Sequence, residues 1–228
     1  MYEDPEFPAT AESLGPARDA DAVTEDDVIW LRPHEIVEPL ENYPQATLFG
    51  DENTEYPGDV NQGKLGDCYL VGAMASVAVH PDDIIERLFV EDDFNETGKV
   101  STNFYKDGEW ETVTVDTRLP CDKETRRPIF AKNRDPNELW SALLEKAYAK
   151  LHGNYAALNG GSVSEALVRV VVVVACTHVK IEIAMDGWMD GWVLLICHHF
   201  ATAILFIRIG DIHEVSRNVK SPPPHRIL

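Results

Sequence analysis

Apolar and polar positions alternate between several distinct rhythms along the chain. From Val28 the stretch VIWLRPHEIVEPL opens an apolar pattern, and NYPQATLFGDENTEYPGDVNQG after it, rich in Pro, Gly, Asn and Asp, reads as a long surface loop. Residues 68–79, CYLVGAMASVAV, are an unbroken run of small and apolar residues; length and alanine content predict a buried helix that stops at His80-Pro81. A short helix is expected over DDIIERLF, and VSTNFY and WETVTVD alternate with a period of two on either side of Asp107-Gly108, which predicts a hairpin.

The strongest helical signal is DPNELWSALLEKAYAKLHG, residues 135–153. Asp135 is placed to cap it, Pro136 to take the first helical position, Glu138 to reach back in a capping box, and Gly153 to close it. Leu139, Leu143, Ala147 and Leu151 recur at four-residue spacing, with Trp140, Leu144 and Tyr148 widening the stripe, so one face must pack on something sizeable. After Leu167 the chain turns to VRVVVVVAC and WMDGWVLLICHHFATAILFIRI, with few turn signals and no clear period, and no internal repeat occurs.

Charge divides the chain further. Residues 1–60 hold sixteen acids against two bases, residues 61–166 eighteen against twelve, and residues 167–228 five against six. Residues 1–27 are acidic, contain three prolines and lack apolar periodicity, so a flexible leader is expected there. A net charge of -19 argues against nucleic acid and anionic membranes as partners, since both need clustered Lys and Arg. The four cysteines show no CxxC or metal-finger spacing and the N-terminus lacks a signal-peptide layout, so reduced thiols and a cytoplasmic location are expected. Trp192 to Ile207 is too short, with His198 and His199 at its middle, for a bilayer span of about 20 residues.

The chemistry concentrates in QGKLGDCYLVGAMASVAV, residues 62–79. A cysteine entering an apolar helix is commonly a packing residue. At a helix N-terminus, however, first-turn N–H groups favour a thiolate and would also stabilise an oxyanion formed beside it. Gln62, six residues upstream of Cys68, can donate a side-chain N–H, and Gly63 and Gly66 allow sharp turns between donor and nucleophile.

The string Q-G-x-L-G-D-C followed by aromatic and small residues resembles the signature of the calpain family of cysteine proteases. IWLRPHEI is similar to that family's tryptophan-containing segment ahead of the core, and NELWSALLEKAYAKLHGNYAALNGGSVSEAL to its helix and following glycine-rich loop; together they cover about residues 28–167. The resemblance implies an α+β, papain-like protease fold whose mainly helical first lobe, with a small antiparallel hairpin, carries the nucleophile. It implies Cys68 as nucleophile, Gln62 as oxyanion-hole donor, and a calcium ion held in part by Asp59 and Glu138, hard oxygen ligands suited to that ion. Without a metal, Glu138 would be a capping-box residue and Asp59 a turn-former.

The family's histidine, in a G-H-x-Y context, and its asparagine, in N-P-W-G, match nothing in these 228 residues. His225 stands at about the right separation but in PPPHRIL; His178, His198, His199 and His213 sit in sequence without family similarity. The expected organisation is therefore a leader at 1–27, a first protease lobe at 28–167 and an atypical apolar tail at 168–228, with the second lobe absent or replaced. The function expected is a calcium-dependent intracellular endopeptidase acting on protein substrates, truncated and inactive by itself, with a second lobe or subunit as partner. The alternatives are a non-catalytic binding or regulatory module and, more remotely, a protein anchored through residues 188–209.

Overall fold

A computed structural model describes residues 1–17, 22–36, 46–50, 60–78, 84–90, 94–107, 109–175, 192–196 and 204–208. In chain order the elements are α1 (Ala11–Leu14), β1 (Val28–Leu31), α2 (Pro33–Ile36), β2 (Val60–Asn61), α3 (Cys68–Ala78), a 3-10 turn at Glu86–Leu88 and α4 (Phe94–Thr97). They continue as β3 (Lys99–Lys106), β4 (Glu109–Asp116), β5 (Leu119–Asp122), β6 (Lys132–Asn133), α5 (Trp140–His152), a 3-10 turn at Tyr155–Leu158, α6 (Val163–Ala175), β7 (Trp192–Ile196) and β8 (Ile204–Arg208). The described strands form four antiparallel ribbons, β1 with β5, β2 with β6, β3 with β4 and β7 with β8. This mixture of helices and small antiparallel sheets agrees with the α+β expectation.

The hairpin predicted from alternation is β3 and β4, with Lys99 opposite Asp116 and Lys106 opposite Glu109. Asp107 takes a left-handed φ of 52°, as a two-residue connection between twisted strands requires. The helix expected over DDIIERLF contracts, within its described residues, to the single 3-10 turn. Beyond Leu167, where no period was evident, α6 runs on to Ala175 and the β7 and β8 ribbon follows.

α5 is the centre of the core. Leu139, Leu143, Leu144, Ala147 and Tyr148 are all buried, as their spacing predicts. The polar positions between them are buried too: Ser141, Glu145 and Lys146 have almost no exposed surface. The helix also starts later than expected. Residues 137–140 are drawn into pairing with an extended segment: Thr47 N donates to Asn137 O (2.9 Å), Leu139 N to Thr47 O (3.1 Å) and Trp140 N to Leu48 O (3.1 Å). That pairing removes those backbone groups from the helix, so no capping box forms. Asp135 instead accepts from Asn137 N at 2.9 Å, and Asn133 Oδ1 caps α5 from outside, accepting from Ser141 N at 3.2 Å. Gly153 ends the helix at φ 102° as expected.

Residues 1–17 differ from the leader anticipated on composition. Phe7 and Leu14 enter the core, and Phe7 packs on Tyr155 with ring centroids 5.8 Å apart. Asp4, buried, accepts from Lys150 at 2.8 Å, and Tyr2 N donates to Thr97 O at 2.9 Å. Two anchoring side chains and one paired acid outweigh a polar average. No helix among the described residues is long and apolar enough to cross a membrane.

Candidate active site

Asp67 has its backbone carbonyl turned into the first turn of α3, accepting from Leu70 N at 2.8 Å and Val71 N at 3.1 Å. The next residue, Cys68, is therefore the first of the helix, and it is exposed. Tyr69, Leu70, Val71, Ala73, Met74 and Val77 are buried, whereas Gly72 and Ser76 continue the exposed line begun by Cys68. The sulfur thus stands at the head of a narrow, small-residue strip, where helix geometry directs first-turn N–H groups toward it. Cys121 is the contrast. It lies fully buried in β5, and burial pushes its thiol up to about 12.

The loop leading to Cys68 is held at three points. Gln62 Nε2 donates to Leu65 O at 2.7 Å, so one N–H of the amide is committed to its own loop and the second is the donor hydrogen left to that group. Lys64 N donates to Ile129 O at 3.0 Å, and the backbone passes so close that a Cβ on Gly63 would overlap the carbonyl oxygens of Ile129 and Phe130. Gly66 N donates to Asn159 Oδ1 at 2.8 Å while Gly160 N donates to Gly66 O at 2.9 Å. The glycines therefore serve close approach as well as turning. Asn159 was not singled out from sequence, although the NGG string around it is the signal that could have found it.

Removing that clasp should be measurable. Asn159→Ala is expected to cost about 1 kcal/mol, the ordinary worth of one such bond. Urea denaturation reads the loss, and faster amide exchange confined to the Gly66 neighbourhood would locate it; unchanged exchange at Gly66 would refute the clasp.

Glu138 precedes α5 rather than capping it. Oε1 accepts from Gly50 N at 2.9 Å and Oε2 from Asn133 Nδ2 at 3.1 Å, so both oxygens are held in place. Asp59, its expected partner toward calcium, lies outside the described residues, and no group of three or more His, Cys, Asp or Glu able to hold a metal comes together among the described residues. Of the described histidines, His152 packs against Tyr148 with centroids 4.6 Å apart and the rings tilted by 40°, and none hydrogen-bonds Cys68. His178, His198, His199, His213 and His225 lie outside the described residues.

An accessible cysteine at a helix head, in a loop clasped from two sides, leaves a thiol open to a molecule approaching from solvent. In comparison with known proteins, the calpain family cysteine protease domain matches residues 2–189. The chain is 38% identical over 170 residues to a calpain of Schistosoma mansoni, 41% over 169 to Calpain-A of Drosophila melanogaster and 39% over 169 to Calpain-9 of Mus musculus. Each alignment covers 73% of this chain but only 21%, 19% and 22% of the respective relative, so the chain spans about a fifth of their length. The chain belongs to the calpain family of cysteine proteases. The match extends beyond residues 28–167 at both ends, in keeping with the packed N-terminal segment.

Proposed function

We propose that this chain carries the nucleophile half of a calpain-type, calcium-dependent, intracellular cysteine endopeptidase of papain-like fold. The observation that carries the reading is Cys68, accessible at the head of α3 within Q-G-x-L-G-D-C. In the reaction, Sγ attacks the carbonyl carbon of a peptide bond, the C–N bond breaks, and a thioester to Cys68 forms; water then releases the acyl group. The second amide hydrogen of Gln62, with first-turn N–H groups of α3, would steady the oxyanion.

Two protons must move in that sequence, one off the thiol and one onto the leaving amine, and a histidine is the usual carrier. No histidine hydrogen-bonds Cys68 among the described residues, and the 228 residues hold no G-H-x-Y motif. A histidine-bearing lobe, continuous with this chain or separate, would supply the base, and the strip of Cys68, Gly72 and Ser76 is the face of α3 open toward it. The 228 residues by themselves are inactive in this reading. Calcium binding through Asp59 and Glu138 belongs to the same proposal, supported by the family and by the Glu138 carboxyl group held between Gly50 N and Asn133 Nδ2.

Iodoacetamide labelling of the 228-residue chain, with and without calcium and resolved by peptide, tests it. Cys68 is expected to react at least about tenfold faster than Cys121, whose buried thiol is kept protonated. Equal rates at the two positions would remove the nucleophile assignment. Peptide hydrolysis by this chain alone, abolished by Cys68→Ala, would instead overturn the inactivity.

A further inference from the structure

Directly behind the nucleophile two acids meet in the core. Asp67, the residue before Cys68, has no exposed surface, and Glu145, from the middle of α5, is 1% exposed. Their side chains lie within hydrogen-bonding reach of each other. Glu145 Oε2 accepts from Ala131 N at 2.9 Å, but among the described residues Glu145 Oε1 and both Asp67 oxygens receive no N–H or O–H from another residue. The adjacent cation, Lys146, is taken up elsewhere, by Asp116 and by the carbonyl of Arg118.

Two ionised carboxylates offer each other only acceptors, so as drawn by charge alone this contact is repulsive and three buried oxygens go without a donor. One shared proton removes the repulsion and satisfies one oxygen on each side, leaving a single Asp67 oxygen without a donor. We infer that Asp67 and Glu145 share a single proton, and that this acid pair ties the loop carrying Cys68 to α5, making both of them positioning residues for the nucleophile. The inference rests on the protease reading only for what Cys68 does; the tie itself does not. Asp67 is well suited to the part, because its carbonyl already holds the first turn of α3 while its carboxyl reaches inward.

The surroundings keep that proton in place. Burial raises both carboxyls, and the charge of Asp67 raises Glu145 further. No cation is among the groups acting on either carboxyl; the acids in turn act on two phenols, Tyr69 from α3, which also feels Glu165 and Arg169, and Tyr155 from the 3-10 turn after α5, which also feels Cys121 and Asp116. Tyr155 is itself raised by burial, so it holds its proton and adds no charge.

The full 228-residue chain can be tested without any catalytic assay. Infrared spectra at neutral pH should show the carbonyl stretch of one protonated carboxyl, lost in Glu145→Gln, whose amide donates to Asp67 and needs no shared proton. Iodoacetamide labelling of Cys68 should change by about fivefold in Glu145→Ala, the effect of one lost hydrogen bond, and return to within about twofold of the parent in Glu145→Gln. Absence of the carboxyl band, or parental labelling in Glu145→Ala, overturns the inference. Should Glu145→Ala fail to fold, Asp67→Ala and Asp67→Asn give the same pair of readouts from the other side. Failure of the protease reading, seen as no peptide hydrolysis after a histidine-bearing lobe is supplied, leaves both readouts unchanged and is thereby distinguishable.

Discussion

Lys146→Met is expected to destabilise the chain by about 3–5 kcal/mol, the usual cost of removing one partner from a buried ion pair. Lys146 Nζ donates to Asp116 Oδ1 at 2.7 Å, Asp116 O at 2.9 Å and Arg118 O at 2.6 Å, and its side chain has no exposed surface. Methionine fills the same space but donates nothing, so the carbonyls of Asp116 and Arg118 lose this donor and Asp116 Oδ1 is left with Arg118 N alone, at 2.9 Å. The lysine's own charge is held against resistance, since burial pulls it down to about 8 despite Asp116. The large effect comes from the two carbonyls left without this donor and from a buried Asp116 compensated by Arg118 alone, more than from attraction within the pair.

The same variant has a pH signature. Burial acts to raise Asp116, but the charge of Lys146 and hydrogen bonds from Arg118 and Lys146 outweigh it and hold the carboxyl at about 2. A carboxyl lowered in the folded state stabilises above its unfolded value of about 3.9, and that contribution disappears as pH falls toward 2. Without Lys146 the folded value moves back up, so acid unfolding of Lys146→Met should begin at higher pH than in the parent. Guanidinium denaturation at neutral pH and an acid titration followed by circular dichroism check the two parts. A loss below about 1 kcal/mol, the scale of an exposed pair, would show that Lys146 is dispensable.

Gly63→Ala is the second large effect. An added Cβ would overlap the Ile129 and Phe130 carbonyls, which are backbone and cannot swing aside, so the Lys64 N to Ile129 O bond must lengthen and the loop must lift. Overpacking of this kind costs about 1–3 kcal/mol. Gln62 is the adjacent residue, so its amide should move and the labelling rate of Cys68 should change with it. Gly72→Ala is the matched control: nothing lies within 4 Å of its would-be Cβ, and it sits inside α3. There alanine should stabilise by about 0.5–1 kcal/mol through the backbone entropy of the unfolded chain. Thermal melts of the two variants should shift in opposite directions; a shared direction would show that close approach at position 63 is not what the glycine provides.

Much of the site was legible in a short string. The change from polar, glycine-punctuated sequence to small apolar residues at 62–79 was enough to set Cys68 at a helix start, because capping, periodicity and alanine content are local properties. The same holds for the β3 and β4 hairpin, whose alternation and Asp-Gly connection need only nearest neighbours along the chain. The apolar stripe of α5 was equally plain in its four-residue spacing.

Other features depended on partners distant in sequence. Glu138 fitted a capping box until Thr47 and Leu48 paired with residues 137–140 and shifted the start of α5 to Trp140. Residues 1–17 averaged to a polar leader, yet Lys150 lies 146 positions from Asp4 and Tyr155 receives Phe7. Asn159 meets Gly66 across 93 positions.

The local code alone thus determined a cysteine at the head of a helix, the donor amide upstream of it, the hairpin and one face of the central helix. Tertiary structure decided which charged residues are inside. By pattern Glu145 and Lys146 belong to the solvent side of α5, and nothing in the spacing distinguishes them from exposed neighbours. They are buried because β4, β5 and the loop before Cys68 close over that side. Only there do Asp116 and Asp67 become available to receive a charge or share a proton, which is what makes burying them possible.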